Sequence, residues 1–165
     1  MKRLSISLNL DETGLKRLSA LQARFAQACL ATYEVALANN CFSRVALHHL
    51  AYKHVREAFA DLGAQLVSNA IYVVSAAMKG GSDKLKPESF SQTMPVVLDR
   101  RTVSLTNGQL SIFTLEGRLK IQIRINPKVE QTIRNSTLKE ALLECRDARF
   151  FLTFFLKHAD QQVAA

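Results

Sequence analysis

One strand-like segment stands alone near the start of this chain. Ser5-Ile6-Ser7-Leu8-Asn9-Leu10 alternates polar and apolar residues, the pattern of a half-buried strand. Three helical patterns follow, and strand-like segments return only after Phe90. A solitary strand leaves its ladder N–H and C=O groups without partners, so this one is expected to join the distant segments. The helices then become an insertion carried by a β domain, and the expected fold class is α+β.

Asp11, Glu12 and Thr13 lead into the first helix, with acids suited to the positive end of its dipole. Leu15, Leu18, Leu21, Phe25, Ala28 and Thr32 recur at three- and four-residue steps, while Lys16, Arg17 and Arg24 fall off that stripe. Asn39-Asn40 is the expected stop. Ser43 is a suitable N-cap for a second helix with apolar positions Leu47, Leu50, Ala51, Val55, Ala58 and Phe59. Gly63 breaks that pattern. A third helix is expected from Ala64 to Met78, ended by Gly80-Gly81, and residues 80–89 with Pro87 form a connector.

The clearest local signal is Asn107-Gly108, the dipeptide that best fits a two-residue hairpin turn. Such a turn pairs Leu105 with Leu110 and Val103 with Ile112 on one face, and Ser104 with Ser111 on the other. Glu116-Gly117 turns the chain again. The next strand sets Leu119, Ile121, Ile123 and Ile125 on one face and Arg118, Lys120, Gln122 and Arg124 on the other. Residues 127–137 read as a loop or short helix. Ala141 to Cys145 and Phe150 to Leu156 read as a final hairpin around Asp147-Ala148. With five or six antiparallel strands, a small barrel is the natural way to remove exposed edges. The expected layout is a β domain over 1–10 and 90–157, a helical insertion over 11–79, the connector over 80–89 and a tail over 158–165.

Composition narrows the partners. A formal net charge of +8 over 165 residues favours an acidic partner such as nucleic acid or an anionic surface. Asn9, Asp11 and Glu12 interrupt the stretch where a signal peptide would place its apolar run, and no apolar run approaches the ~20 residues of a membrane span. No membrane partner is therefore expected. Cys29, Cys41 and Cys145 are odd in number and widely spaced, which suggests neither a disulfide framework nor a CxxC site and makes a reducing cytoplasm the expected compartment.

The strand from Arg118 to Arg124 is the best binding element. Alternate residues on a strand share a face and lie ~6.6 Å apart, so Arg118, Lys120 and Arg124 form a comb able to track successive phosphates. Any half-exposed strand in a basic protein has the same pattern. Arg100-Arg101 precedes the Asn107-Gly108 hairpin and extends the same surface. On the second helix Arg44, His48, Lys53 and Arg56 avoid the apolar stripe and could line a basic groove, although a solvated face explains them equally well. His48-His49 and His54 lack a carboxylate or cysteine at ligand spacing, so no metal site is expected. Phe150, Phe151, Phe154 and Phe155 read as core rather than as a stacking platform. No nucleophile motif, phosphate-binding loop or dinucleotide fingerprint is present, and the carboxylates are scattered singly. No catalytic residue and no cofactor are expected.

These residues resemble a family. Residues 47–79, LHHLAYKHVREAFADLGAQLVSNAIYVVSAAMK, are similar to the helical segment of TnpB, the RNA-guided nuclease of bacterial insertion sequences. Tyr52, Arg56, Gln65, Ala70-Ile71, Val74 and Lys79 stand at matching places. Residues 96–123 resemble that family's strand block, and residues 141–156 the hairpin that precedes its nuclease domain. The resemblance implies an OB-like wedge barrel interrupted after its first strand by a three-helix recognition insertion. It implies structured RNA as partner, with duplex DNA and a nuclease subunit in trans as further partners. The RuvC-like domain should begin soon after Leu156, with a DxG-type acid that residues 157–165 do not supply. The expectation is a nucleic-acid-binding module related to type V CRISPR effectors, without cleavage activity of its own. The competing expectation is a protein-interaction or scaffold module that keeps the fold without RNA binding.

Overall fold

The computed structural model of the protein describes residues 1–79 and 85–158. Strand β1 (Lys2–Ser7) is followed by helices α1 (Glu12–Ala38), α2 (Arg44–Ala58) and α3 (Gly63–Met78). Short strands β2 (Val96–Leu98), β3 (Val103–Thr106), β4 (Gln109–Thr114) and β5 (Gly117–Gln122) come next, then helix α4 (Pro127–Arg134) and the long strands β6 (Ser136–Arg146) and β7 (Arg149–His158). The third helix's expected stop at Gly80-Gly81, residues 82–84 of the connector and residues 159–165 of the tail lie outside the described residues.

The helix boundaries follow from their caps. The Asp11 carboxylate accepts from the Gly14 N–H at 2.7 Å, and the Ser43 hydroxyl accepts from the Ala46 N–H at 3.3 Å. Each satisfies one of the donors that a helix start leaves bare. Leu18, Leu21, Phe25, Ala28 and Thr32 of the expected stripe are buried, whereas Leu15 stands at its exposed end. Between α2 and α3 the chain tightens into a 3-10 turn, Ala60–Leu62, and Gly63 follows with φ +73, a conformation that a side chain would strain.

The first strand pairs with the last. Ser5 lies opposite Thr153 and Ile6 opposite Leu152, so β1 joins strands beyond Phe90, as a lone strand must. It spans residues 2–7 rather than 5–10, because its ladder partner β7 begins its hairpin at Arg149. The Leu8 N–H still reaches Phe150 O at 2.9 Å, after which the chain turns towards the Asp11 cap.

The strands do not close a barrel. They form two antiparallel sheets, one ordered β1-β7-β6-β2 and the other β3-β4-β5. Two further ladders, β2 to β3 and β5 to β1, would be needed for closure. At the first junction a tight turn separates the strands: the Thr102 and Val103 N–H groups both donate to Asp99 O, at 3.0 and 2.9 Å. Helix α3 covers the neighbouring edge, where Asn69 Nδ2 donates to the Val97 carbonyl at 3.0 Å. A side chain thus occupies an acceptor on β2 that another strand could have used. Among the described residues there are seven strands rather than five or six, the extra one being the three-residue β2.

Two of the three hairpin turns, at Asn107-Gly108 and Asp147-Ala148, sit where the sequence places them. Leu105 faces Leu110, Val103 faces Ile112 and Ser104 faces Ser111, with Asn107 and Gly108 at φ +52 and +72. Helix α4 clamps this turn, since Glu130 accepts from the Gly108 N–H at 3.1 Å and Arg134 donates to the Asn107 side chain at 3.2 Å. At the β6–β7 hairpin Asp147 and Ala148 take φ +50 and +60, the mirror-image turn that matches strand twist. Buried side chains from α1, α2, α3 and both sheets form one continuous cluster. Phe25, Phe150 and Phe154 are its largest fully buried members, each contributing about 1.5–3 kcal/mol by leaving water.

Candidate nucleic-acid interface

A cleft of about 310 Å³ opens where α2 and α3 meet the turn between β2 and β3. Arg44, His48 and His49 reach it from α2, Tyr72 from α3 and Arg101 from the turn. Ser43 starts α2, and the first turn that follows holds Arg44 and no acid. The positive end of that helix dipole is therefore left without a local carboxylate. The Arg44 guanidinium lies 4.8 Å from the centre of the Tyr72 ring, and His48 stacks on Tyr52 at 4.7 Å.

The turn aims Arg101. Asp99 Oδ1 accepts from the Arg101 N–H at 2.9 Å and from the Thr102 N–H at 3.2 Å, an Asx-type arrangement that fixes the backbone. The Arg101 guanidinium donates to Gln65 Oε1 at 2.9 Å, and Gln65 in turn donates to Asp99. Arg118 crosses from β5 to give the Arg101 carbonyl a hydrogen bond at 2.5 Å and Ser111 Oγ another at 3.2 Å. Two arginines, two histidines and a tyrosine thus line a cleft that, among the described residues, no carboxylate lines. Such a surface offers charge to a phosphate and a flat ring to a base.

The structure brings some expected residues together and separates others. Arg44 and Arg101 share the cleft, and Arg118 adjoins it through Arg101. The comb does not run as far as expected: β5 ends at Gln122, opposite Gln109, and Arg124 lies beyond it. The reason is the partner strand, which turns away at Asn107-Gly108 and leaves only the bond from the Ile123 N–H to Gly108 O. Arg118 and Lys120 remain on the strand as its exposed cations. Arg56 turns back on its own helix end, donating to Ala60 O at 3.1 Å. Lys53 and Arg100 are exposed and line none of the cleft.

Sequence reasoning passed over Tyr72 and gave His49 no binding role. Tyr72 is 37% exposed on a helix whose remaining large side chains are mostly buried, and that off-stripe aromatic was the available signal. Cys29 is packing material, with burial pushing its thiol far above the usual range, so it is no nucleophile at neutral pH. Two of the four clustered phenylalanines, Phe150 and Phe154, are core as expected, but Phe151 and Phe155 are only half-buried. Among the described residues no three His, Cys, Asp or Glu side chains lie together where they could hold a metal ion, and no helix is long and apolar enough to cross a membrane. No family model matches this chain, and no curated protein matches it.

Proposed function

We propose that this chain binds structured RNA through the cleft formed by Arg44, His48, His49, Tyr72 and Arg101. The observation that carries the reading is the meeting of cations and rings from three separate elements in a cleft that, among the described residues, no carboxylate lines. The resemblance of residues 47–79 to the TnpB helical segment points the same way. On this reading the two sheets are an opened OB-like unit, the helices between β1 and β2 are its recognition insertion, and duplex DNA and a nuclease subunit in trans are further partners. The chain contributes binding and positioning, and cleavage belongs elsewhere.

The test is fluorescence anisotropy with a labelled structured RNA across a salt series. Two to four neutralised phosphates give a slope of log K against log salt of about −2 to −4. Arg44→Glu with Arg101→Glu should weaken binding at least tenfold and flatten that slope, while Lys53→Glu changes affinity little. Binding that is independent of salt, or unmoved by the double substitution, overturns the reading. Cleavage of RNA or DNA by the purified chain in magnesium, lost on changing one carboxylate, would overturn the assignment as a binding module.

A further inference from the structure

The outward face of sheet β1-β7-β6-β2 carries apolar side chains that the core does not use. Along β7 the even-numbered residues Phe150, Leu152, Phe154 and Leu156 point into the core and are buried. Phe151 and Phe155 alternate with them on the opposite face, half-buried, and belong neither to the core cluster nor to the side chains packed against it. Each ring has an arginine over it. Arg146 lies 4.3 Å from the Phe151 ring centre, and Arg3 lies 5.8 Å from that of Phe155.

Along β1 and β7 themselves the charge has one sign. Neither β1 nor β7 contains an acidic residue. Arg149 and Lys157 stand exposed at the two ends of β7, on the same face as the rings. Among the described residues, acids stand beside this strip: Glu140 and Glu144 on β6 sit opposite Phe155 and Phe151, and Asp147 lies in the turn. Between the rings Thr153 is buried and bonds the exposed Ser5 at Oγ, 3.1 Å away across the ladder. The rings are four residues apart on one strand, about 13 Å.

We infer that the β1–β7 strip is a stacking platform for single-stranded nucleic acid, with bases on Phe151 and Phe155 and the phosphates tracked by Arg3, Arg146, Arg149 and Lys157. Aromatic rings take any base because every base has a π face, and cations beside them hold the backbone. Glu140 and Glu144 of β6 bound the track beside the two rings, and Arg146 at the end of β6 holds it next to the turn. A folded RNA or a duplex hides its bases and cannot use this surface, so the strip selects an unpaired strand. The inference does not rest on the cleft, which lies on other elements.

The experiment uses the whole chain, a labelled oligothymidylate, and an abasic strand of the same length that carries the phosphates without the bases. The base-bearing strand should bind at least about tenfold more tightly, from stacking on two rings. Phe151→Leu with Phe155→Leu keeps apolar bulk and should remove that difference while leaving abasic affinity unchanged. Arg44→Glu with Arg101→Glu should leave single-strand binding intact, which separates this platform from the cleft. Equal affinity for the two strands, or stacking preserved in the double Leu variant, overturns the inference. Photocrosslinking the wild-type chain to a bromouridine-bearing strand removes dependence on how the variants fold. Adducts should map to residues 149–157, and adducts confined to α2, α3 and the Arg101 turn overturn the inference.

Discussion

Sheet β3-β4-β5 is assembled from neighbours in sequence, each strand following the last through a short turn, whereas sheet β1-β7-β6-β2 joins Ser5 to Thr153, 148 positions apart. The first is therefore specified locally. Asn107-Gly108 fixes a turn, the turn fixes the register, and the register puts Val103, Leu110 and Ile112 inward. The second depends on a partner that no local pattern names, and its long strands gain their order from the core they share with the helices. Proximity in sequence makes a sheet readable, while burial makes it hold.

The sharpest test of that contrast is Phe154→Ala. Phe154 is 1% exposed at the centre of the long-range sheet, and its loss should cost about 3–5 kcal/mol in urea unfolding. Because one cluster of buried side chains joins the two sheets, amides of β3, β4 and β5 should lose protection in the same transition as those of β7. A locally built sheet that stays protected after the other has melted would split the molecule where we describe one core.

A smaller effect is expected at the local turn. Gly108 takes φ +72, and a Cβ there would meet Ile123 O at 3.4 Å, so Gly108→Ala should destabilise by about 1–2 kcal/mol. Hydrogen exchange should quicken in β3 to β5 more than in β6 and β7. Equal quickening in both sheets would contradict the local character of the first.

The smallest effect has the opposite sign. Ala148 holds φ +60 in the turn of the long hairpin, where a glycine pays no steric penalty. Ala148→Gly should raise stability by about 0.5–1 kcal/mol, net of the entropy that glycine adds to the unfolded chain. A drop in the urea midpoint would show that the long hairpin tolerates its turn without strain.

Particular residues mark how far the sequence could be read. Asp11 and Ser43 announced their helices because a capping oxygen is a local requirement. Asn107-Gly108 and Asp147-Ala148 announced their turns for the same reason. The closed barrel failed at a junction that no periodicity encodes: Asn69, on a helix, meets the Val97 carbonyl and covers the edge of β2. The cleft was half legible. Arg44 and Arg101 carry charge that stands out in any reading, but their meeting with Tyr72 depends on how α2 crosses α3. Phe151 and Phe155 were hidden in an apolar run, since only the strand's alternation separates them from Phe150 and Phe154.

The ladder between β1 and β7 also sets a timetable. A ribosome makes β1 first and cannot offer it β7 until about 148 further residues have been added, roughly 7–30 s at ordinary rates of synthesis. Helices α1 to α3 and the sheet β3-β4-β5 can form within that interval, because all their hydrogen-bonded partners are already made. Throughout it the nascent β1 carries an open row of backbone donors and acceptors. Lys2 and Arg3 at its start then serve as guards against pairing with a neighbouring chain.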